Sequence, residues 1–411
     1  MFKIIKQSIG IGLILSGFAT SVMAGGTAAP VEEAACSGAD TGYDKGFFIK
    51  TCDGDYSLKV KGRIQLRYAG ELHDSSDAAN PNADAHSFLI RRARLDFSGN
   101  VFTPKLTFDI QLDLGGIPSA VDNNILYYAN MNYKVSDEFQ ILGGLHKINF
   151  NRQEITSDGK LQFVDRSLAN ERFKLDRSIG IVFHGDVWDK RFEYYLSLVN
   201  GRNTRASVNT NNELGYVARV AWNPLGEYGY EEGDIKNSQD VALTVGAAAG
   251  LWHEEATVAL GNQDRVISAN ADMGIKYKGF SFQGEGFYRL TDPNQLLPQQ
   301  TDMGFYAQAG YFIIPEHFEV AIRSSMLFDD TTGVGQNVNM NNGSLTGLGS
   351  VNDGVDETAD SDNEQEYSAS LSYYFKGHDI KLQTQYSFIK DGIPGADLTH
   401  HIVMAQAQLG F

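Results

Sequence analysis

Cysteine and proline are scarce in this 411-residue chain, with two of the first and nine of the second. Two cysteines cannot hold a disulfide scaffold, and little proline beside 42% hydrophobic residues excludes collagen-like and intrinsically disordered classes. Long apolar runs are lacking too. Beyond the first two dozen residues nothing approaches the roughly 18 apolar residues of a membrane-crossing helix. Positive charge is in deficit, 34 Lys and Arg against 51 Asp and Glu, for a net charge of −17, which argues against a nucleic-acid partner. Convergent catalytic groups are missing. His253-Glu254-Glu255 lacks the second histidine of a zinc helix, and His400 and His401 alternate across a strand. Gly159-Lys160 lacks the earlier glycine of a nucleotide loop and is followed by Leu161. No cofactor, metal or enzymatic activity is called for.

What is present begins with an export signal. In residues 1–24, Lys3 and Lys6 precede a short apolar stretch from Ile9 to Phe18, and Val22-Met23-Ala24 forms a small-residue cleavage site. The chain is therefore expected to be cut after Ala24 and to work outside the cytoplasm. Cys36 and Cys52 lie close together, and an oxidising compartment suits a local disulfide. Residues 25–56 read as an N-terminal periplasmic extension ahead of the main domain, 57–411.

From residue 57 onward the hydrophobic period is two. In 57–68, Leu58, Val60, Ile64, Leu66 and Tyr68 share one phase, and Lys59, Lys61, Arg63, Gln65 and Arg67 the other. In 105–114, Leu106, Phe108, Ile110, Leu112 and Leu114 alternate with Lys105, Thr107, Asp109, Gln111 and Asp113. About sixteen such runs follow one another, most of about ten to fourteen residues, against about five or six for a usual globular strand. At roughly 3.3 Å per residue and a tilt of about 45°, these lengths match the apolar band of an outer membrane. Short connections (99–104, 135–138, 189–190, 314–316, 376–377) alternate with long ones (69–86, 115–123, 147–177, 200–213, 253–264, 291–301, 329–364, 390–399). One breaks the rule: 224–239 is long yet falls on the short-turn side. Aromatics collect at segment ends, at Tyr68, Tyr127, Tyr133, Trp188, Trp222, Tyr277, Tyr311, Phe375 and Phe411. The expected fold is all-β: a closed antiparallel transmembrane β-barrel of about 16 strands in lipid. A soluble β-sandwich would bury the apolar faces and use shorter strands.

With apolar faces on lipid, the polar faces line a water-filled lumen. The candidate cations there are Lys59, Lys61, Arg63, Arg67, Arg92, Arg94, Lys105, Arg219, Lys276, Lys278, Arg289, Arg323 and Lys381. The acids are Asp96, Asp109, Asp113, Asp272, Glu285, Glu319, Glu366 and Asp379. If Tyr68 and Ser87 close the first hairpin, Arg63 faces Arg92 and Lys61 faces Arg94. Like charges opposite each other destabilise a sheet, so the cluster reads as an anion site; the alternative is structural pairing with Asp96, Asp109 and Asp113. The connection 147–177, which carries Arg152 and Lys160 among seven cations, has a length that is usually functional. Folded inward, it would narrow the pore.

The run RRARLDFSGNVFTPKLTFDIQLDL, then GKLQFVDRSLANERF and DRSIGIVFHG, resembles the phosphate-selective porin O and P family. The resemblance spans most of the mature chain and is strongest over 57–200. It implies a sixteen-stranded homotrimer in the bacterial outer membrane, with a third long loop that constricts a pore whose arginines and lysines lead anions to a phosphate site. Residue by residue, the RRAR run gives Arg91, Arg92 and Arg94, the SDGK stretch gives Ser157 and Lys160, and Arg63 is the first-strand counterpart. The expected function is passive diffusion of small anions such as phosphate; the alternative is a general porin for small hydrophilic solutes.

Overall fold

In a computed structural model of the chain, residues 38–73, 84–115, 125–201, 209, 213–255, 263–292, 299–329, 363–393 and 396–411 are described. The expected signal peptide and Cys36 lie outside them. Two short strands, β1 (Ala39–Tyr43) and β2 (Phe47–Thr51), precede sixteen longer ones. These are β3 (Ser57–His73), β4 (Ala85–Asn100), β5 (Leu106–Asp113), β6 (Leu126–Lys134), β7 (Gln140–Lys147), β8 (Arg177–Val187), β9 (Phe192–Val199), β10 (Gly215–Trp222), β11 (Ala242–Glu255), β12 (Gln263–Tyr277), β13 (Phe280–Asp292), β14 (Gln300–Ile314), β15 (Phe318–Asp329), β16 (Asn363–Lys376), β17 (Ile380–Ile393) and β18 (Ala396–Gly410).

Each long strand pairs antiparallel with the next, and β18 returns to β3 from His400↔His73 to Gly410↔Arg63. The result is a closed 16-strand antiparallel barrel. Below Gly410, Phe411 and Gly62 exchange two backbone hydrogen bonds of 3.0 and 2.8 Å. Below those, β2 takes over the same edge of β3, from Phe47↔Val60 to Lys50↔Ser57. Part of the expected 25–56 extension is thus a hairpin that continues the sheet. Cys52, just after it, is disulfide-bonded. Gly62 permits the seam: a Cβ there would stand 2.3 Å from the Phe411 ring.

The faces are inverted relative to a water-soluble sheet. In β10, Tyr216, Val220 and Trp222 are exposed while Val217, Arg219 and Ala221 are buried. In β16, Tyr367, Leu371, Tyr373 and Phe375 are exposed while Glu366, Ser368, Ser370 and Ser372 are buried. Among the described residues no helix is long and apolar enough to cross a membrane; here the strands cross.

Three expectations need correction. In the first hairpin Tyr68 lies opposite Phe88, and a bulge between Gln65 and Leu66 leaves Arg91 without a partner. Below the bulge, Arg63 faces Arg94, Gln65 faces Arg92 and Lys61 faces Asp96. An extra residue on one strand shifts every later pair and turns two consecutive side chains to one face. Second, a similar shift between Gln111 and Leu112 skips Tyr127. That residue is buried against Arg94 and Arg177 instead of standing in an outward girdle. Third, the last connection is not long: β17 and β18 pair as far as Ile393↔Ala396. The intervening dipeptide is Pro394-Gly395, a turn-forming pair.

Ile322 sits outward near the middle of β15 and is 67% exposed. Ile322→Arg is expected to cost about 2–4 kcal/mol, the midplane penalty for a lipid-facing arginine. The check is the unfolding free energy in lipid vesicles; a cost near zero would place this face away from lipid.

Candidate functional site

The connection 148–176 carries helix α1 (Arg152–Ile155), a single 3-10 turn at Asp158–Lys160, and helix α2 (Leu168–Phe173). Ser167 caps α2 by accepting from the Asn170 amide, the expected role of serine before a helix. The segment bonds to inward-facing side chains around much of the ring. Glu285 on β13 accepts from the Arg152 and Gln153 amides at 2.5 and 2.9 Å. Ser325 on β15 accepts from the Ala169 amide at 2.9 Å, and Glu366 on β16 from the Leu168 amide at 2.9 Å. Gln385 on β17 accepts from the Val164 amide at 3.0 Å, and Lys381 donates to the Leu161 carbonyl at 2.9 Å. Apolar contacts reinforce these. Ile148, Phe150, Leu168 and Phe173 join Val217, Trp252, Phe287 and Leu327 of the wall in one buried cluster. Val164 joins Ala69, Ile389, Ile402 and Met404 in another.

The arginines of β3 and β4 converge on two carboxylates of this connection. Asp158 meets Arg63 at 2.5 Å, Arg92 at 2.8 Å and Arg94 at 2.5 Å. Asp165 meets Arg67 at 2.8 Å, Arg91 at 3.4 Å and Arg92 at 3.5 Å. The bulge explains how neighbours Arg91 and Arg92 both reach inward. Wall acids contribute less than the sequence suggested: Asp113 meets Arg94 at 2.7 Å and Asp96 meets Lys61 at 3.0 Å. Five guanidiniums thereby share three carboxylates, so the patch stays net positive. Burial alone would push the Asp158 carboxyl up, but Arg94, Arg92 and Arg63 outweigh it and hold the group well below the usual carboxylate range. Burial likewise opposes Arg67, Arg92 and Arg91 at Asp165, and the guanidiniums prevail.

Arg152 of α1 and Arg219 of β10 meet away from this patch. Both pair with Asp272 on β12, at 2.6 Å each, and Arg219 also donates to the Phe150 carbonyl at 2.7 Å. Lys59 points to the β1–β2 turn and meets Asp44 at 3.3 Å. Lys61, Arg63, Arg94, Ser157 and Lys160 come together around a cavity of about 230 Å³. Lys45 from the β1–β2 turn also lines it, and its acids are Asp96 and Asp379. Of these cations Lys160 is exposed, Lys61 is 42% exposed and Arg63 20%. Sequence reasoning did not find Lys45, nor the pinning by Asp158 and Asp165. The second had a signal: two acids seven positions apart in a basic connection facing a basic hairpin. Among the described residues no three His, Cys, Asp or Glu side chains cluster to hold a metal.

The family model of the phosphate-selective porins O and P matches residues 58–409. An uncharacterized protein of Aquifex aeolicus (strain VF5) is 27% identical over 317 residues, 65% of this chain and 72% of that protein. Among solved structures, the outer membrane channel DcaP of Acinetobacter baumannii aligns over 88% of this chain and 99% of its own, at 13% identity and a TM-score of 0.58. The anion-selective porin from Comamonas acidovorans aligns over 87% and 100%, at 9% identity and a TM-score of 0.56. The trimer form of OmpT from Vibrio cholerae aligns over 86% and 99%, at 8% identity and a TM-score of 0.52.

A carboxylate whose folded pKa is depressed contributes stability above its unfolded value of about 4 and loses it only as pH falls through the folded value. Asp158 and Asp165 therefore keep the connection pinned from neutral pH down to about pH 4, and release begins only in stronger acid. Single-channel conductance should stay flat over that range at fixed ionic strength. A new conductance level appearing between about pH 6 and 5 would show that Asp158 and Asp165 do not govern the segment's position, and that another anchor such as Glu285 does.

Proposed function

Since the chain belongs to the family of phosphate-selective porins O and P and is a bacterial outer-membrane porin by family and fold, we propose that it passes small anions, phosphate among them. Passage is passive diffusion through a water-filled lumen narrowed by 148–176. The observation that carries this reading is the cation-rich cavity beside the 3-10 turn of that segment, with Lys45, Lys61, Arg63, Arg94 and Lys160 set against Asp96 and Asp379. The net charge of −17 does not oppose it, because the local field of a low-dielectric passage governs which ion enters.

The residues divide by exposure. Lys61, Arg63 and Lys160, with Ser157 beside them, line the cavity with side chains partly or wholly exposed and are the proposed anion contacts, Lys61 and Arg63 through the donors not used on Asp96 and Asp158, and Lys59 draws anions toward it from the rim. Arg63 offers a planar fork that can donate two hydrogen bonds to one phosphate. Arg67, Arg91, Arg92 and Arg94 are held by Asp158, Asp165 and Asp113, and their part is to fix the constriction while leaving it net positive. Arg152 and Arg219 anchor the same segment from the other side. Conduction needs several weak sites, and partly neutralised arginines provide them. The proposed assembly is a homotrimer in outer-membrane lipid, exported by means of residues 1–24.

A second reading, a porin of broad selectivity, is favoured by one observation: the deepest arginines already have carboxylate partners. The two readings separate in planar bilayers. A specific site gives block of chloride current at low phosphate, and a broad pore does not. Lys61→Ala with Lys160→Ala should lower the anion-to-cation permeability ratio. At about 0.5 kcal/mol for each part-exposed charge, the pair amounts to roughly fivefold. An unchanged reversal potential in a salt gradient would defeat the assignment.

A further inference from the structure

The connection 223–241, between β10 and β11, lies on the rim where the other connections are tight turns. It is also acidic, with Glu227, Glu231, Glu232 and Asp234. Tyr228, Glu232 and Asp234 are nonetheless buried, Glu232 to 2% exposure. Asp234 ties the base of the segment down: it accepts from the Ser238 amide at 3.0 Å and from the Gly279 amide of the neighbouring turn at 2.8 Å. The middle reaches 148–176. Glu232 Oε1 accepts from Gln153 Nε2 at 2.9 Å, and its Oε2 accepts from the Gln162 amide at 2.7 Å. The Arg152 guanidinium lies 5.3 Å from the Tyr228 ring and 4.9 Å from the Tyr230 ring, within reach of cation–π attraction.

A connection of this length and charge would cost less conformational entropy left free in water. Here its carboxylate is buried with both oxygens satisfied by one partner segment, at positions nine residues apart. That geometry fixes the spacing between α1 and the stretch after the 3-10 turn, so that displacing Glu232 frees two donors of the constriction at once.

We propose that 223–241 is a second constriction element, rising from the short-turn rim to meet 148–176, and that Glu232 is the positioning residue that holds the latter at its height in the lumen. The proposal rests on the porin reading but not on anion preference, so the two fail separately. The test is single-channel recording of the full-length protein in planar bilayers, with folding checked by heat-dependent gel mobility. Replacing 226–238 by Asn-Gly, which shortens the connection while keeping a turn-forming pair at its tip, should give a conductance roughly twice that of wild type. Glu232→Ala should add open-channel flicker, and Glu232→Gln, which keeps one acceptor, should lie between it and wild type. Reversal potentials should stay unchanged in Glu232→Gln. Should the shortened chain fail to fold, the Glu232 variants carry the test alone. Folded variants with wild-type conductance and current noise overturn the proposal, whatever their ion selectivity.

Discussion

In lipid no water is available to satisfy a backbone N–H or C=O, so a spanning sheet must have no free edge. That demand governs the rest of this molecule. It forces β18 back onto β3 and gives the apolar row of every strand to the outside. The charged side chains of the strands away from the rims must then share a limited interior. The interior becomes crowded with groups that cannot stay buried alone, and the long connection 148–176 answers the crowding. It brings backbone donors to Glu285, Glu366 and Gln385 and carboxylates to the arginines of β3 and β4.

Arg63 opposite Arg94 would be an unfavourable cross-strand pair in isolation. With Asp158 between them and Arg92, it becomes one corner of a charge network. The network does two things at once. It ties the connection to β3 and β4, and it offsets part of the positive charge of that hairpin. Buried charges need both, because neither the arginines nor the carboxylates could stay there unpaired.

The period-two pattern made the barrel legible, since a strand cannot hide which of its faces meets lipid. Even the glycine- and alanine-rich β7 and β11 fell in the right places once the neighbouring runs set the count. Register was not legible. One extra residue at Arg91 and another at Tyr127 change which side chains share a face, and nothing in the local alternation marks a bulge before its partner strand is known. The basic hairpin was visible as a cluster, but its neutralisation was not: Asp158 and Asp165 are distant in sequence, and only tertiary contact brings them together. The connection 224–239 stood out by its length on the wrong rim, and its inward path depends on Gln153 and Gln162, whose positions no pattern encodes.

The seam has a temporal meaning. Arg63 and Gly410 are neighbours in the finished wall, yet almost the whole chain lies between them. Until the final strand arrives, β3 presents most of an open edge, with only the stretch from Ser57 to Val60 covered by β2. The small N-terminal hairpin occupies the rest of that edge, from Val60 to Ser57, and so bounds the stretch that the closing strand can take.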